Sequence, residues 1–241
     1  MINTYELKQK AKLIDRTSAP SVFLVGLVYF LILAVLTYLS SSLMTTGVTE
    51  SDLNKASEYI VNGQYYAATE FLQKFKPSAS GSIVSTLIDI VTNILEAGFV
   101  IFIINSVRNN APCFGNLLDG FNIFVRVIIL NLLMGIFIFL WSLLLIVPGI
   151  IAAYKYRLAL FLLIDHPEMS CMQCILKSKE MMSGHKGELF SLDLSMLGWY
   201  ILSALLPPLD IYVTPYTTTV YTLYYQQLAG ILDKTDFEPT F

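Results

Sequence analysis

Charged residues are scarce in this chain: they make up 14% of its 241 residues, whereas soluble domains carry about 25%. Histidine and cysteine are scarce as well, with two and three copies, which leaves little room for a conventional hydrolase. The sequence has no glycine-rich phosphate loop, nucleophile elbow or H-E-x-x-H motif. Its net charge of −3 argues against a basic face for nucleic acid. We therefore predict neither an enzyme nor a nucleic-acid-binding protein, and no cofactor.

Long apolar runs take the place of charge. A helix of about 20 apolar residues is long enough to cross a bilayer. We predict an all-α fold, a polytopic membrane helical bundle with six transmembrane helices in one membrane domain, residues 1–241. The fourth span carries Lys155 and Arg157 within its apolar run, and the sixth is uncharged but rich in Tyr and Thr. The spans are expected near residues 20–40, 83–107, 124–147, 149–165, 188–206 and 209–230.

Lysine and arginine residues in the connections predict the orientation, because cytoplasmic loops carry an excess of them. With the N-terminus inside, ten fall on the cytoplasmic side and three outside, and the remaining two lie in span four. If span four did not cross, Lys177, Lys179 and Lys186 would move outside and spoil this bias. Both termini are therefore predicted to be cytoplasmic.

The dipeptide Pro148-Gly149 separates spans three and four. Proline lacks the amide hydrogen and glycine lacks a Cβ atom, so the pair favours a tight turn. We expect a helical hairpin that turns at this point near the outer surface.

The longest connection is an extracytoplasmic loop, residues 41–82, which contains no cysteine to form a disulfide. Asn62-Gly63 is a turn signal and predicts two short amphipathic helices around it. The loop is either a cap resting on the spans or a recognition element. The expected apolar faces are Leu53, Ala56, Tyr59 and Ile60 in the first helix, and Tyr66, Ala67, Phe71 and Leu72 in the second.

A short helix is also predicted before the first span. Its segment, "YELKQKAKLIDR", places Leu7, Ala11 and Ile14 on one helical face and the lysines elsewhere. This pattern suits a helix that lies on the membrane surface.

The cytoplasmic connection between spans four and five predicts an amphipathic helix over residues 170–183. Ser170 and Gln173 fit a capping box, and Gly184 supplies the usual terminator. The helix contains C-x-x-C, which occurs in redox pairs and in metal sites, and spacing alone would allow two histidines to complete a zinc site. Packed cytosolic thiols are the favoured interpretation, so we predict no metal. The residues concerned are Cys171, Cys174, His166 and His185.

Four stretches have a recognisable pattern: "LKQKAK" before span one, "LWSLLLIVPGIIAAYKYRLALFLLIDHPEMS" across spans three and four, "KSKEMMSGHKGELFSLDLSMLGW", and "TPY" in the last span. Together they resemble the domain-of-unknown-function 975 family of bacterial integral membrane proteins. The outer loop has no match, and "LALF" lacks the proline expected before Phe161. The resemblance implies a helical membrane fold and a bacterial cytoplasmic membrane location, but no activity. A more distant similarity to the membrane portion of glycerophosphodiester phosphodiesterases implies lipid surroundings and transfers no catalytic residues.

Polar residues recur at three- and four-residue steps along span two, which places them on one helix face. A charge near the bilayer centre costs about 2.5–3.5 kcal/mol, so this face should meet protein or water rather than lipid. Two cations of span four lie at similar depth and can neutralise it. We predict an intramembrane cluster between spans two and four, and a second pair, Arg126 with Asp193, near the inner edge. The cluster members are Asp89, Asn93, Glu96, Lys155 and Arg157.

Two functions remain open. In the first, the buried charged cluster is a structural pin, and the chain is an accessory or scaffold protein of the envelope. In the second, the cluster lines a polar cavity that transports or binds a small solute, a proton or a lipid headgroup. A dry, mutually satisfied cluster would favour the first and a hydrated pocket the second. The expected partners are the lipid bilayer and either lipid headgroups or another membrane protein, and the oligomeric state is left open.

Overall fold

The computed structural model describes residues 3–44, 49–73 and 79–231, and the regular secondary structure in these ranges is helical. The all-α prediction is confirmed for them. The α-helices, numbered in chain order, are α1 (Thr4–Thr17), α2 (Val22–Met44), α3 (Glu50–Val61), α4 (Tyr65–Gln73), α5 (Ala79–Arg108), α6 (Asn116–Asp119), α7 (Phe124–Leu144), α8 (Ile146–Tyr156), α9 (Ala159–Asp165), α10 (Cys171–Met181), α11 (Lys186–Leu205) and α12 (Asp210–Leu228). Short 3-10 helices occupy Gly120–Ile123 and Pro207–Leu209.

Within the described ranges, five helical segments are long and apolar enough to cross a membrane, which indicates a multi-pass membrane protein. They are Val22–Ser42, Ser82–Arg108, Asn116–Leu144, Ile146–Asp165 and Lys186–Leu205. The predicted sixth span, α12, is not among them, so the count of six is not confirmed. Its tyrosines, threonines and glutamines lower its hydropathy, and most of the helix is buried against protein. Hydroxyl groups such as that of Thr219 bond back to the helix itself, in this case to the carbonyl of Pro215 at 2.8 Å.

The chain divides into two compact units, of which the smaller comprises Leu31–Thr92. Its two short helices, α3 and α4, flank Gly63, whose φ of +71° permits the tight turn. The predicted turn and both helices are confirmed. The predicted apolar faces are only partly right, because the buried residues are the small Ala56 and Ala68. The rings of Tyr59 and Phe71 lie 5.9 Å apart, whereas Leu53, Ile60, Tyr66 and Leu72 are exposed.

The larger unit comprises Met1–Phe30 and Asn93–Phe241 and contains α1 and α12, which pack together. The predicted apolar face of α1 is correct, since Leu7, Ala11 and Ile14 are buried. The surface that this apolar face contacts differs from the prediction. The face packs on protein rather than lying on lipid, and Ala11 shares a cavity with Thr219 of α12.

Helices α7 and α8 pack as a hairpin, as predicted, but the turn lies earlier than expected. Leu145 interrupts the helix with an extended backbone, φ −165° and ψ 151°. Pro148 instead falls in the first turn of α8, where no intrahelical bond requires its missing N–H. Gly149 lets the two helices approach closely, because a Cβ atom there would lie 2.1 Å from the Oγ of Ser142.

A second close approach joins α5 to the segment before α7. A Cβ atom on Gly98 would lie 2.1 Å from the carbonyl oxygen of Leu117, and one on Gly120 would lie 2.2 Å from that of Ile94. Backbone therefore meets backbone at these two glycines, which fixes α5 against the start of the next span.

Candidate functional site

The fourth candidate span is broken in its middle. Helix α8 ends at Tyr156 and α9 begins at Ala159, which leaves Arg157 at the break. The buried hydroxyl of Ser178, on α10, bonds to backbone on both sides: it donates to the carbonyl of Lys155 at 2.8 Å and accepts from the amide of Leu158 at 3.2 Å. Helix α10 thus stabilises the break at Arg157.

Arg157 and Glu96 line one cavity of about 570 Å3 within the larger unit. We call it the Glu96–Arg157 cavity. Both side chains are exposed, and Asn93 and Asn131 lie on its wall with their amides bonded at 3.1 Å. The lining is mixed, since it also includes aliphatic and aromatic side chains. They are Tyr29, Phe99, Val100, Met134, Ile138, Ala153, Tyr156, Leu160, Phe161, Tyr200, Thr214, Thr217, Thr218 and Tyr221.

A tyrosine network surrounds Asp193 beside this cavity. The hydroxyls of Tyr154 and Tyr221 donate to its two carboxylate oxygens at 2.7 and 2.5 Å. Tyr221 also bonds Tyr200 at 2.8 Å, and its ring lies 4.7 Å from the guanidinium carbon of Arg157. Phenol groups therefore hold the carboxylate, and an aromatic face holds the cation.

An ion pair joins spans two and four at their ends. Arg108 of α5 donates from both terminal nitrogens to Asp165 of α9, at 2.9 and 2.6 Å, and Tyr225 donates to the same carboxylate at 2.7 Å. The Asp165 side chain is only 6% exposed. This pair was not predicted from the sequence, although the distribution of Lys and Arg predicts that both helix ends lie on the same side of the membrane.

Comparison with known proteins addresses the segment that holds most of these groups. Residues 143–231 match the DUF975 family model, described as a protein of unknown function. The predicted resemblance is confirmed over this range. No curated protein and no solved structure matches the chain. The DUF975 segment contains the broken helix, Asp165, Ser178 and Asp193, whereas Glu96 and Arg108 lie outside it.

Ser178 of the DUF975 segment provides a test of the break. Replacing it by alanine should destabilise the protein by about 1–3 kcal/mol, because one buried and one part-buried backbone group lose their partner. Thermal unfolding in detergent measures the effect. Ser183→Ala removes an exposed hydroxyl just beyond α10 and should change stability by less than about 0.5 kcal/mol. Equal stabilities of the two variants would contradict the role assigned to Ser178.

The predicted charged cluster does not take the expected form, since no buried cluster of charged side chains occurs in the described part of the chain. Glu96 and Arg157 share a cavity without a direct ion pair, and Lys155 places its Nζ 5.4 Å from the ring centre of Trp141. The nearby aromatic rings explain this arrangement, because Lys155 contacts the ring of Trp141 and Arg157 contacts that of Tyr221 instead of a carboxylate. Asp89 belongs to the smaller unit, so its contact with Lys155 stays a prediction.

The structure does not bring the second predicted pair together. Arg126 donates to the carbonyl of Met169 at 2.6 Å and so anchors the segment before α10. Asp193 is occupied by its two tyrosines. The tyrosine hydroxyls, rather than the predicted Arg126, bind this carboxylate. The charge pattern of the sequence gives no information about hydroxyl donors.

The cysteines of α10 have packing roles. Cys174 is buried, and burial raises the pKa of its thiol, which disfavours the reactive thiolate. The Cys171 thiol donates to the carbonyl of Arg126 at 3.4 Å. His166 and His185 contact Glu168 and Glu188, at 3.1 and 2.9 Å. In the described ranges, no group of three or more His, Cys, Asp or Glu residues is placed to hold a metal ion. The capping box at Ser170 and Gln173 is confirmed, and Gly184 follows α10 with a φ of +86°.

Proposed function

We propose that this chain is a multi-pass protein of the bacterial cytoplasmic membrane that binds a small polar or lipid-derived ligand in the Glu96–Arg157 cavity. The observation that carries the proposal is that two opposite charges line one cavity without pairing directly. Ionisable side chains inside a membrane are costly, so those that face a cavity are candidate binding groups. The broken helix supports the same role, because discontinuous membrane helices commonly form the binding sites of transporters. The role is binding or transport rather than catalysis.

The scaffold alternative receives less support from these residues. A structural pin needs charges that satisfy each other, and Glu96 and Arg157 do not form such a pair. The Arg108–Asp165 ion pair can serve as a pin between spans two and four instead. The cavity residues are therefore left for a ligand.

The proposal includes six spans with both termini in the cytoplasm. Residues 211–232 carry no charged side chain, so α12 can cross the bilayer as a sixth helix covered mainly by protein. The ten-to-three distribution of cations supports the orientation. In this topology the loop 41–82 faces outward and α10 faces the cytoplasm.

Thiol labelling tests whether the Glu96–Arg157 cavity contains water, as a binding site for a polar ligand should. In a variant whose three native cysteines are replaced by serine, Thr218→Cys lies on the cavity wall and Leu140→Cys lies on the exposed apolar surface of α7. A charged methanethiosulfonate reagent needs water and an ionised thiol, so it should modify the first and spare the second. Equal, slow reaction at both positions would show that the cavity is not hydrated.

The same reagent tests the topology when it is applied to intact cells. Ser57→Cys and Ser183→Cys both occupy exposed positions. An impermeant reagent should modify only Ser57→Cys. Modification of Ser183→Cys from outside would rule out the six-span arrangement.

A further inference from the structure

The Glu96–Arg157 cavity holds one side chain of each sign, and this balance restricts what it can bind. A ligand with only a negative group would be attracted to Arg157 but repelled by Glu96. A ligand with only a positive group would meet the opposite problem. A ligand that carries both charges can satisfy both side chains.

The guanidinium of Arg157 is suited to binding an anion. Its guanidinium carbon lies 4.7 Å from the centre of the Tyr221 ring, close enough for a cation–π contact. In the described part of the chain no hydrogen bond from this guanidinium to another side chain or to backbone is found, so its N–H groups remain available to an acceptor outside the chain. A phosphate or carboxylate accepts two parallel bonds from the plane of a guanidinium.

Glu96 is suited to an ammonium group. It lies one turn from Asn93, whose amide oxygen accepts a hydrogen bond from Asn131. Among the residues that line the cavity, Glu96 is the one with an acidic side chain. A carboxylate at membrane depth needs a counter-charge or hydrogen-bond donors to offset its desolvation. A primary ammonium supplies both, with three N–H donors.

We propose that the ligand is a zwitterion whose primary ammonium is bound by Glu96 and whose phosphate or carboxylate is bound by Arg157. This inference rests on the proposed function and specifies its ligand class. Two sources share this chemistry: an ethanolamine-type phospholipid and a free water-soluble zwitterion. The aliphatic part of the wall, including Val100, Ile138 and Leu160, can accommodate acyl chains of the first.

Binding to the purified full chain in detergent, measured by calorimetry, tests the class with three probes. Dihexanoyl phosphatidylethanolamine carries both charges and short chains. Dihexanoyl phosphatidylglycerol has the same chains and phosphate but no ammonium, and phosphoethanolamine has the headgroup alone. We expect the ethanolamine lipid to bind at least about tenfold more tightly than the glycerol lipid, as one charge-assisted contact implies.

Two substitutions connect the preference to the residues. Glu96→Gln and Arg157→Met should each weaken binding of the ethanolamine lipid about tenfold or more. Glu58→Gln and Lys177→Met remove exposed charges outside the cavity and should leave binding unchanged. If Arg157→Met does not fold, Arg157→Lys keeps the charge, loses the planar donors and should give an intermediate loss.

The possible results test the zwitterion assignment and the proposed function separately. Tight binding of the ethanolamine lipid alone supports a lipid source, and equally tight binding of phosphoethanolamine supports a free zwitterion. The zwitterion assignment is overturned if the glycerol lipid binds as well as the ethanolamine lipid, if Glu96→Gln has no effect, or if no probe binds while Thr218→Cys is still labelled. Failure of Thr218→Cys to react overturns the proposed function itself.

Discussion

Removing one partner of the Arg108–Asp165 pair should destabilise the protein more than removing both. The Asp165 side chain is 6% exposed and that of Arg108 is 26% exposed, so either charge left alone would be largely shielded from water. Loss of one partner of a buried ion pair costs about 3–5 kcal/mol. We expect a loss of this size for Asp165→Asn and for Arg108→Met, and a smaller loss for the double variant than for either single variant.

Thermal unfolding of the purified protein in detergent, compared across the four members of this cycle, measures the coupling. The exposed pair Lys177–Glu180, at 3.3 Å, provides the matched control. Removing either of its members should change stability by about 1 kcal/mol or less, because solvent screens both charges. If the losses at Arg108 and Asp165 are simply additive, the two residues do not stabilise each other.

Gly98→Ala should destabilise the protein although it adds only one methyl group. The added methyl group would lie 2.1 Å from the carbonyl oxygen of Leu117 and 2.7 Å from its carbonyl carbon. These are backbone atoms, so no side-chain rotation can relieve the contact and the helices must separate. Overpacking of this kind costs about 1–3 kcal/mol, and we expect the upper end of that range here.

Gly135→Ala is the matched control for Gly98→Ala. Gly135 lies inside α7, and a Cβ atom there would meet nothing within 4 Å. Alanine is the better helix former, so this variant should be more stable by about 0.5–1 kcal/mol. Chemical unfolding in mixed micelles compares the two variants. Stability changes of the same sign would contradict the close contact of Gly98 with Leu117.

The candidate site was only partly predictable. The sequence identified Glu96 and Arg157 because charges are unusual within apolar runs. It did not reveal that Ser178 bonds across the break beside Arg157, or that Asp193 is held by Tyr154 and Tyr221. Serine and tyrosine are common in helices of every kind, so their hydroxyl groups give no signal before their partners are known.

The features that were predicted correctly from the sequence are local ones. Hydropathy predicted five of the helical segments that can span a membrane, the Ser170–Gln173 pattern predicted the start of α10, and Asn62-Gly63 predicted the turn between α3 and α4. These features depend on apolar length and on hydrogen bonds between residues three or four positions apart, such as those of the capping box. Neighbouring residues in the sequence contain that information.

Which polar groups are partners depends on how the helices pack. Arg108 and Asp165 are 57 positions apart, and Tyr154 and Asp193 are 39 apart. Several cations and hydroxyl groups were chemically suitable for each carboxylate, and charge alone could not rank them. Helix packing makes the choice, through the close approach at Gly98 and the break at Arg157, because a hydrogen bond forms only between groups that the backbone brings within about 3 Å of each other.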